Sequence, residues 1–322
     1  MKNIQRDDIH IVSRHSDLTE KGVAKALKEN VYNDKTAWQK FLRLLIISCG
    51  IGFTVSGIVF FFAYNWADLH KFAKIGVAEG LVIAAASIAL FPKINVNIRN
   101  IILVGASVLV GVLFAVYGQI YQTGANAYDF FLGWTVFVTL WVVVSNFSPL
   151  WLLYLVLINT TFILYSQQVA KDWSEVFIFT LLFVFNALVL ISALFFKNKK
   201  AKNIPNWFFN TVALACIVYA TFGITIGMFD DFKIAFPILI LITAAAFSLG
   251  IWHGLKTKNI FYLSAIPFSL VTIVSVLFIR IADKFFYYGS GTYLLISIFV
   301  VVSVTLIIKK LIELQKKWKN EK

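Results

Sequence analysis

Residues 130–170 read FFLGWTVFVTLWVVVSNFSPLWLLYLVLINTTFILYSQQVA, a run of 41 residues without Asp, Glu, Lys or Arg. A single α-helix of this length would measure about 60 Å, twice the thickness of the hydrocarbon core of a membrane. The run therefore predicts two membrane-spanning helices. We expect the break at residues 145–149 (SNFSP), because proline favours the first turn of a helix and the polar side chains can cap it.

Similar apolar runs on both sides of this segment cover most of the chain. The predicted spans are 44–66, 74–92, 100–121, 128–145, 149–166, 175–196, 207–228, 234–252, 260–279 and 288–308. This pattern predicts an all-α fold, a polytopic transmembrane helix bundle of about ten spans. We accordingly divide the chain into an N-terminal amphipathic segment (1–43), a transmembrane domain (44–308) and a basic tail (309–322).

The composition excludes an ordinary soluble protein. Hydrophobic residues make up 60% of the chain and charged residues 14%, whereas a typical soluble domain has about 45–50% and about 25%. The mean hydropathy is +0.81. A protein with so few charged side chains cannot cover its surface with them, so we expect lipid to be its solvent.

The basic residues predict the orientation of the chain. With ten spans and a cytoplasmic N-terminus, 23 of the 29 Lys and Arg residues fall on the cytoplasmic side. This asymmetry follows the positive-inside rule and predicts that both termini are cytoplasmic. The net charge of +13 then predicts contact with the anionic headgroups of membrane lipids on that side, and we expect no nucleic-acid partner. The oligomeric state stays open.

The first 43 residues are the only sizeable polar segment. Between residues 16 and 31, Leu18, Val23, Leu27 and Val31 recur at mostly four-residue spacing, which predicts an amphipathic helix, and a shorter helix is expected over residues 7–14. A segment this short cannot bury a core of its own, so it should dock on the membrane surface or on a partner. It is either a cap on the first span or a regulatory module.

Polar residues concentrate at the expected extracytoplasmic ends of the first four spans. We name them the outer polar cluster, and its members are Asn65, Trp66, His70, Lys74, Glu79, Gln119, Tyr121, Gln122, Asn126 and Asp129. They predict a ligand pocket with Glu79 and Asp129 as its anionic centre and Lys74 and His70 as counter-charges, with Asn159 joining from the fifth span. The alternative is an aromatic belt with ordinary helix caps, although such a belt does not explain a carboxylate at Glu79, inside the hydrocarbon boundary.

Two runs within this region carry a resemblance to a known family. FFAYNW (61–66) and GQIYQTGANAYDFFLGW (118–134) resemble the signature of the domain of unknown function 2157 family, over roughly residues 15–150. The resemblance implies a multi-pass protein of the bacterial inner membrane with a short cytoplasmic N-terminal helical stretch, and it implies no activity. Family members usually carry an acid where this chain has Asn126, which leaves Asp129 as the nearest carboxylate.

Three classes of function remain open. A small-solute transporter or permease is favoured because ten spans with internal polar residues can line a path. A non-catalytic membrane scaffold or envelope-stress component is the alternative. An intramembrane enzyme acting on lipid or glycan carriers is less favoured, because the sequence lacks HExxH, GxSxG and Walker motifs. We therefore predict no catalytic residue, no metal site and no cofactor.

Overall fold

A computed structural model of the chain describes residues 6–31, 35–121, 124, 126–198, 204–230, 234–285 and 290–320. Within these ranges the chain forms twelve α-helices and no β-strand. Ten of the helices are long and apolar enough to cross a membrane. The all-α class and the number of spans predicted from the sequence are thus confirmed, whereas the orientation of the termini stays a prediction.

The helices follow one another in chain order. They are α1 (Arg6–Arg14), α2 (Glu20–Asn30), α3 (Lys35–Tyr64), α4 (Lys71–Leu90), α5 (Val96–Tyr121), α6 (Ala127–Ser145), α7 (Ser148–Gln168), α8 (Glu175–Asn198), α9 (Asn206–Gly227), α10 (Ala235–Thr257), α11 (Ile260–Phe285) and α12 (Ser290–Asn320). The candidate spans are α3 to α12.

The two N-terminal helices form where the sequence predicts them. Helix α2 begins after Thr19, whose hydroxyl oxygen accepts the backbone N–H of Gly22 at 3.3 Å, a side-chain N-cap. The helix therefore starts at Glu20, a few residues after the beginning of the predicted segment 16–31. Helices α1 and α2 pack together, and Ile9 and Leu27 are buried.

The break within residues 130–170 is confirmed. Helix α6 ends at Ser145, and Asn146 takes a left-handed conformation with φ of 49°, which is common for Asn directly after a helix. Helix α7 then begins at Ser148 with Pro149 in its first turn, where the missing N–H of proline has no partner to lose.

Two of the spans extend well beyond their predicted bounds. Helix α3 starts at Lys35, nine residues before the predicted span, and α12 continues past Ile308 to Asn320. Residues 35–43 and 309–320 carry Lys and Arg and lack Gly and Pro, so they favour a helix outside the hydrocarbon as well. The limit of the apolar run is therefore not the limit of the helix.

The chain divides into two compact units, Met1–Ala125 with Val136–Leu150, and Asn126–Thr135 with Trp151–Lys322. In the first unit, α5 packs against both α3 and α4. The helix α3 approaches α5 closely at Gly105, where an added Cβ atom would lie 2.6 Å from Cγ2 of Ile51. The buried apolar residues between α3, α4 and α5 include Phe62, Ile75, Ala78 and Val116.

In the second unit, α9 packs against α8, α10 and α11. Its Gly223 faces both α8 and α10, because an added Cβ would lie 2.9 Å from Cβ of Phe179 and 2.6 Å from Cδ2 of Leu239. Small residues of this kind let membrane helices approach closely. Large apolar side chains such as Leu241 and Leu188 are mostly exposed on the outside of the unit, as expected where lipid is the solvent.

Polar side chains also join helices of the second unit. Asn159 of α7 and Asn186 of α8 are both buried and exchange two hydrogen bonds: Nδ2 of Asn186 donates to Oδ1 of Asn159 at 2.8 Å, and Nδ2 of Asn159 donates to Oδ1 of Asn186 at 3.3 Å. The hydroxyls of Thr221 and Ser269 lie 2.6 Å apart and link α9 to α11. These side-chain contacts therefore join α7 to α8 and α9 to α11.

Candidate functional site

The connection between α3 and α4 contains three members of the outer polar cluster. Nδ2 of Asn65 donates to the carbonyl of Phe61 at 2.9 Å, so the Asn65 side chain extends the hydrogen bonding at the end of α3. His70 is the N-cap of α4, where its Nδ1 accepts the backbone N–H of Phe72 at 3.4 Å. Both side chains thus have local structural roles at helix ends.

The third member, Trp66, lies beneath the Lys74 ammonium. Nζ of Lys74 is 4.0 Å from the centroid of the Trp66 ring, and Lys74 is buried with 8% of its surface exposed. A cation over the face of an indole ring is attracted by the ring quadrupole. In the part of the chain that the structure describes, Lys74 and Glu79 form no ion pair with each other. Lys74 therefore contacts an aromatic ring, and its predicted role as a counter-charge to Glu79 and Asp129 stays a prediction.

Glu79 is half-buried near the middle of α4 and contacts α5. The Tyr117 hydroxyl donates a hydrogen bond to Oε1 of Glu79 at 2.6 Å. The Tyr117 ring in turn stacks on the Tyr121 ring, with centroids 5.8 Å apart and planes inclined by 17°. Tyr117 also packs on the apolar residues between α3, α4 and α5. The carboxylate consequently stands beside an apolar core with a phenol as its donor.

Sequence reasoning missed Tyr117. The quoted motif begins one residue later, at Gly118, although the spacing of four residues between Tyr117 and Tyr121 places both on one face of a helix. That spacing is the signal that could have revealed it. Gln119 lies two positions from Tyr117 and is therefore about 200° around α5, where it is exposed. Gln122, the other predicted glutamine, falls outside the described residues.

The last two members, Asn126 and Asp129, belong to the second unit and are described apart from the rest. Asn126 precedes the first residue of α6, and Oδ2 of Asp129 accepts its backbone N–H at 3.2 Å, which is the back-reaching half of a capping box. Oε1 of Gln168 accepts the N–H of Tyr128 at 3.0 Å. The carboxylate of Asp129 is thus part of a helix cap.

Asn159 does not contribute a free amide to the cluster. Its Oδ1 accepts from Asn186, and its Nδ2 donates to Asn186 and to the carbonyl of Leu155 at 2.8 Å. The amide is engaged by α7 and α8. Among the described residues, no group of three or more His, Cys, Asp or Glu side chains is arranged to hold a metal ion.

The N-terminal part of the chain, up to the start of α7, matches a known family. Residues 17–151 match the family model described as predicted membrane protein (DUF2157). The resemblance expected from the two motifs is thereby confirmed, with nearly the predicted bounds. The DUF2157 match includes the whole outer polar cluster and leaves residues 152–322 outside it. Its description names no activity. Comparison of the chain with curated proteins and with solved structures found no match.

The first unit places two charged side chains close together on one helix. Two charged side chains, Lys74 and Glu79, stand on α4 within one and a half turns of each other. Each is held by an aromatic residue of a neighbouring segment, Trp66 for the ammonium and Tyr117 for the carboxylate. The ammonium supplies hydrogen-bond donors and the carboxylate supplies acceptors on the same helix.

Proposed function

We propose that this protein is a permease for a small polar solute in the bacterial inner membrane, with its entry site at the extracytoplasmic end of α3, α4 and α5. The observation that carries the proposal is the hydrogen bond of 2.6 Å between Tyr117 and the carboxylate of Glu79 inside two candidate spans. The site would contact solute through Glu79, Tyr117 and Lys74.

A carboxylate in a candidate span is costly to place in lipid. Ionisable residues within membrane helices are rare, face the protein interior or a water-filled cavity, and mark substrate or ion pathways. Glu79 fits this description because it is half-buried and its hydrogen-bond donor comes from another helix. A structural role alone would be served by an uncharged pair, so the carboxylate favours a task that uses its charge.

The extracytoplasmic location rests on the distribution of basic residues along the sequence. Under the predicted orientation, the start of α4 and the end of α5 lie at the outer face. A solute arriving from outside would then meet Lys74 and Trp66 first and Glu79 about one and a half turns deeper. We propose the proton as the coupling ion, because carboxylates within membrane helices can relay protons.

A non-catalytic scaffold is the second candidate, and a specific observation favours it. Asn65, His70 and Asp129 all make hydrogen bonds that end or begin helices. Helix caps need no ligand to explain them. If the Glu79–Tyr117 bond likewise serves only to join α4 to α5, the first unit is a structural or docking element.

The experiment that separates the two candidates compares Glu79→Gln and Tyr117→Phe with wild type in proteoliposomes. Transport is followed as current on a solid-supported membrane, with a panel of amino acids, sugars, nucleosides and carboxylic acids under an imposed proton gradient. We expect one solute class to give a current with wild type, and Glu79→Gln to abolish it with little change in thermal stability. Asp283→Asn is the matched control, because Asp283 is exposed and pairs with Arg280, one turn earlier on the same helix.

The permease proposal fails if no solute of the panel gives a current with wild type while Glu79→Gln lowers the thermal stability of the purified protein. That pair of results would assign the Glu79–Tyr117 bond to the scaffold. A current that persists unchanged in Glu79→Gln would also overturn the role given to this carboxylate.

A further inference from the structure

The second unit contains a cavity that the outer polar cluster does not involve. It has a volume of about 290 Å³ and lies between α8, α9, α10 and α11. The α8 residues that line it run from Phe183 to Leu194, and α10 contributes residues from Ala246 to His253. Eleven positions of an α-helix measure about 16 Å, so the cavity is elongated along the helices. This length equals the thickness of about one leaflet of the hydrocarbon core.

The lining is almost wholly apolar. Alanines on three helices, Ala187, Ala213 and Ala246, leave the space that larger side chains would fill. The volume corresponds to about ten water molecules at about 30 Å³ each, but cavities lined by Leu, Ile and Phe stay dry and bind apolar molecules. The occupant that matches this shape and lining is a hydrocarbon chain.

The polar groups of the lining gather at one end. Trp252 and His253 line the cavity near the end of α10, and Tyr262 does so near the start of α11, with the His253 and Tyr262 rings 5.5 Å apart. Nζ of Lys256 lies 4.9 Å from the centroid of the Trp252 ring. The ammonium of Lys256 therefore lies next to a lining residue at this end, whereas the lining itself contains no Asp, Glu, Lys or Arg.

We propose that this cavity binds one acyl chain of an anionic phospholipid, with the phosphate of the headgroup beside Lys256. The apolar slot is about as long as one leaflet and can hold an acyl chain. The basic residue near its end can attract the negatively charged phosphate of the headgroup. Each basic residue near a membrane surface raises the binding constant for anionic lipid about fivefold. The predicted orientation assigns this end to the cytoplasmic leaflet, where anionic lipid is expected to be enriched.

The test uses the full-length protein in vesicles of phosphatidylcholine that contain a minor fraction of phosphatidylglycerol with a photoreactive diazirine in the acyl chain. After illumination, the labelled residues are identified by mass spectrometry. We expect labels on the cavity lining, for example at Leu190 and Ile217, and several-fold less labelling there by phosphatidylcholine with the same diazirine chain. Labelling that is no stronger at these residues than at the exposed Leu188 and Leu241 would overturn the proposal.

Two substitutions test the two ends of the site separately. Ala187→Phe fills the apolar slot and should remove most labelling of the lining, whereas Leu188→Phe changes the exposed neighbour and should leave it intact. If Ala187→Phe fails to fold, Ala246→Leu fills the same space more gently. Lys256→Gln should reduce the preference for phosphatidylglycerol about fivefold, and Lys316→Gln, on an exposed part of α12, should not.

Two results would contradict this proposal. Labelling of the lining that both filling variants leave unchanged would overturn the acyl-chain site. Equal labelling by the two phospholipids would overturn the role of Lys256 in selecting an anionic headgroup. This proposal does not depend on the permease, because it concerns lipid bound in the second unit and needs no transport measurement.

Discussion

Breaking the buried pair Asn159–Asn186 should destabilise the second unit measurably. The change to make is Asn186→Leu, which removes both hydrogen bonds between α7 and α8 and leaves Oδ1 of Asn159 without a donor. Nδ2 of Asn159 keeps its bond to the carbonyl of Leu155. The single substitution therefore produces one orphaned buried acceptor and not a fully unsatisfied amide.

The magnitude follows from these bonds. Interhelical hydrogen bonds in membrane proteins contribute about 0.6 kcal/mol each on average, so the two bonds together contribute about 1.2 kcal/mol. An orphaned buried acceptor adds a penalty of about 1–3 kcal/mol. Because the polar side chain is replaced by an apolar one, part of this loss is offset. We expect the free energy of unfolding to fall by about 1–3 kcal/mol in Asn186→Leu and in Asn159→Leu.

The assay is a double-mutant cycle on the full-length protein in bicelles, with unfolding followed during titration with sodium dodecyl sulfate. The double variant, with leucine at both positions, has no orphaned group, so its loss should be smaller than the sum of the two single losses by about 1 kcal/mol. Thr272→Val is the control, because the exposed Thr272 hydroxyl donates to the carbonyl of Phe268 in its own helix. Additive losses, or single losses below about 0.5 kcal/mol, would refute the reasoning.

Three further predictions concern packing, capping and orientation. Gly223→Ala should destabilise the protein by about 1–3 kcal/mol in thermal unfolding, because its Cβ would overlap Leu239, while Gly57→Ala, with open space around it, should not. Asp129→Ala should lower stability by about 0.5–2 kcal/mol, since the start of α6 loses a cap, and recovery in Asp129→Asn would show that the cap and not the charge matters. Thr123→Cys, with Cys49 and Cys216 replaced by serine and alanine, should react with a membrane-impermeant maleimide in intact cells. Reaction only after permeabilisation would reverse the predicted orientation.

The span count was predictable because it depends on local composition. Whether a stretch enters lipid is decided by some 20 consecutive side chains, and these can be read directly from the sequence. The break between α6 and α7 was predictable for the same reason, since Asn146 and Pro149 favour the conformations found there. Helix ends beyond the lipid, such as the start of α3 at Lys35, were not predicted because hydropathy does not indicate whether a segment in water is helical.

The contacts of the outer polar cluster were not predictable in the same way. Which side chains meet depends on how each helix is rotated about its axis, and one residue changes that direction by about 100°. Polar spacing placed Lys74 and Glu79 on one helix but could not show that Trp66 and Tyr117 are their partners. The cavity near Trp252 was equally hidden, because its alanines come from three helices far apart in the sequence.

The length of α12 has a practical consequence for imaging. Its 31 residues measure about 46 Å, whereas the hydrocarbon core is about 30 Å thick, so its last turns project into water as a continuous helix. A helical protein fused in register after Asn320 would inherit the direction of α12 without a flexible joint. Such a fusion would give electron cryomicroscopy a feature outside the detergent micelle by which particles of this small, loop-poor protein could be aligned.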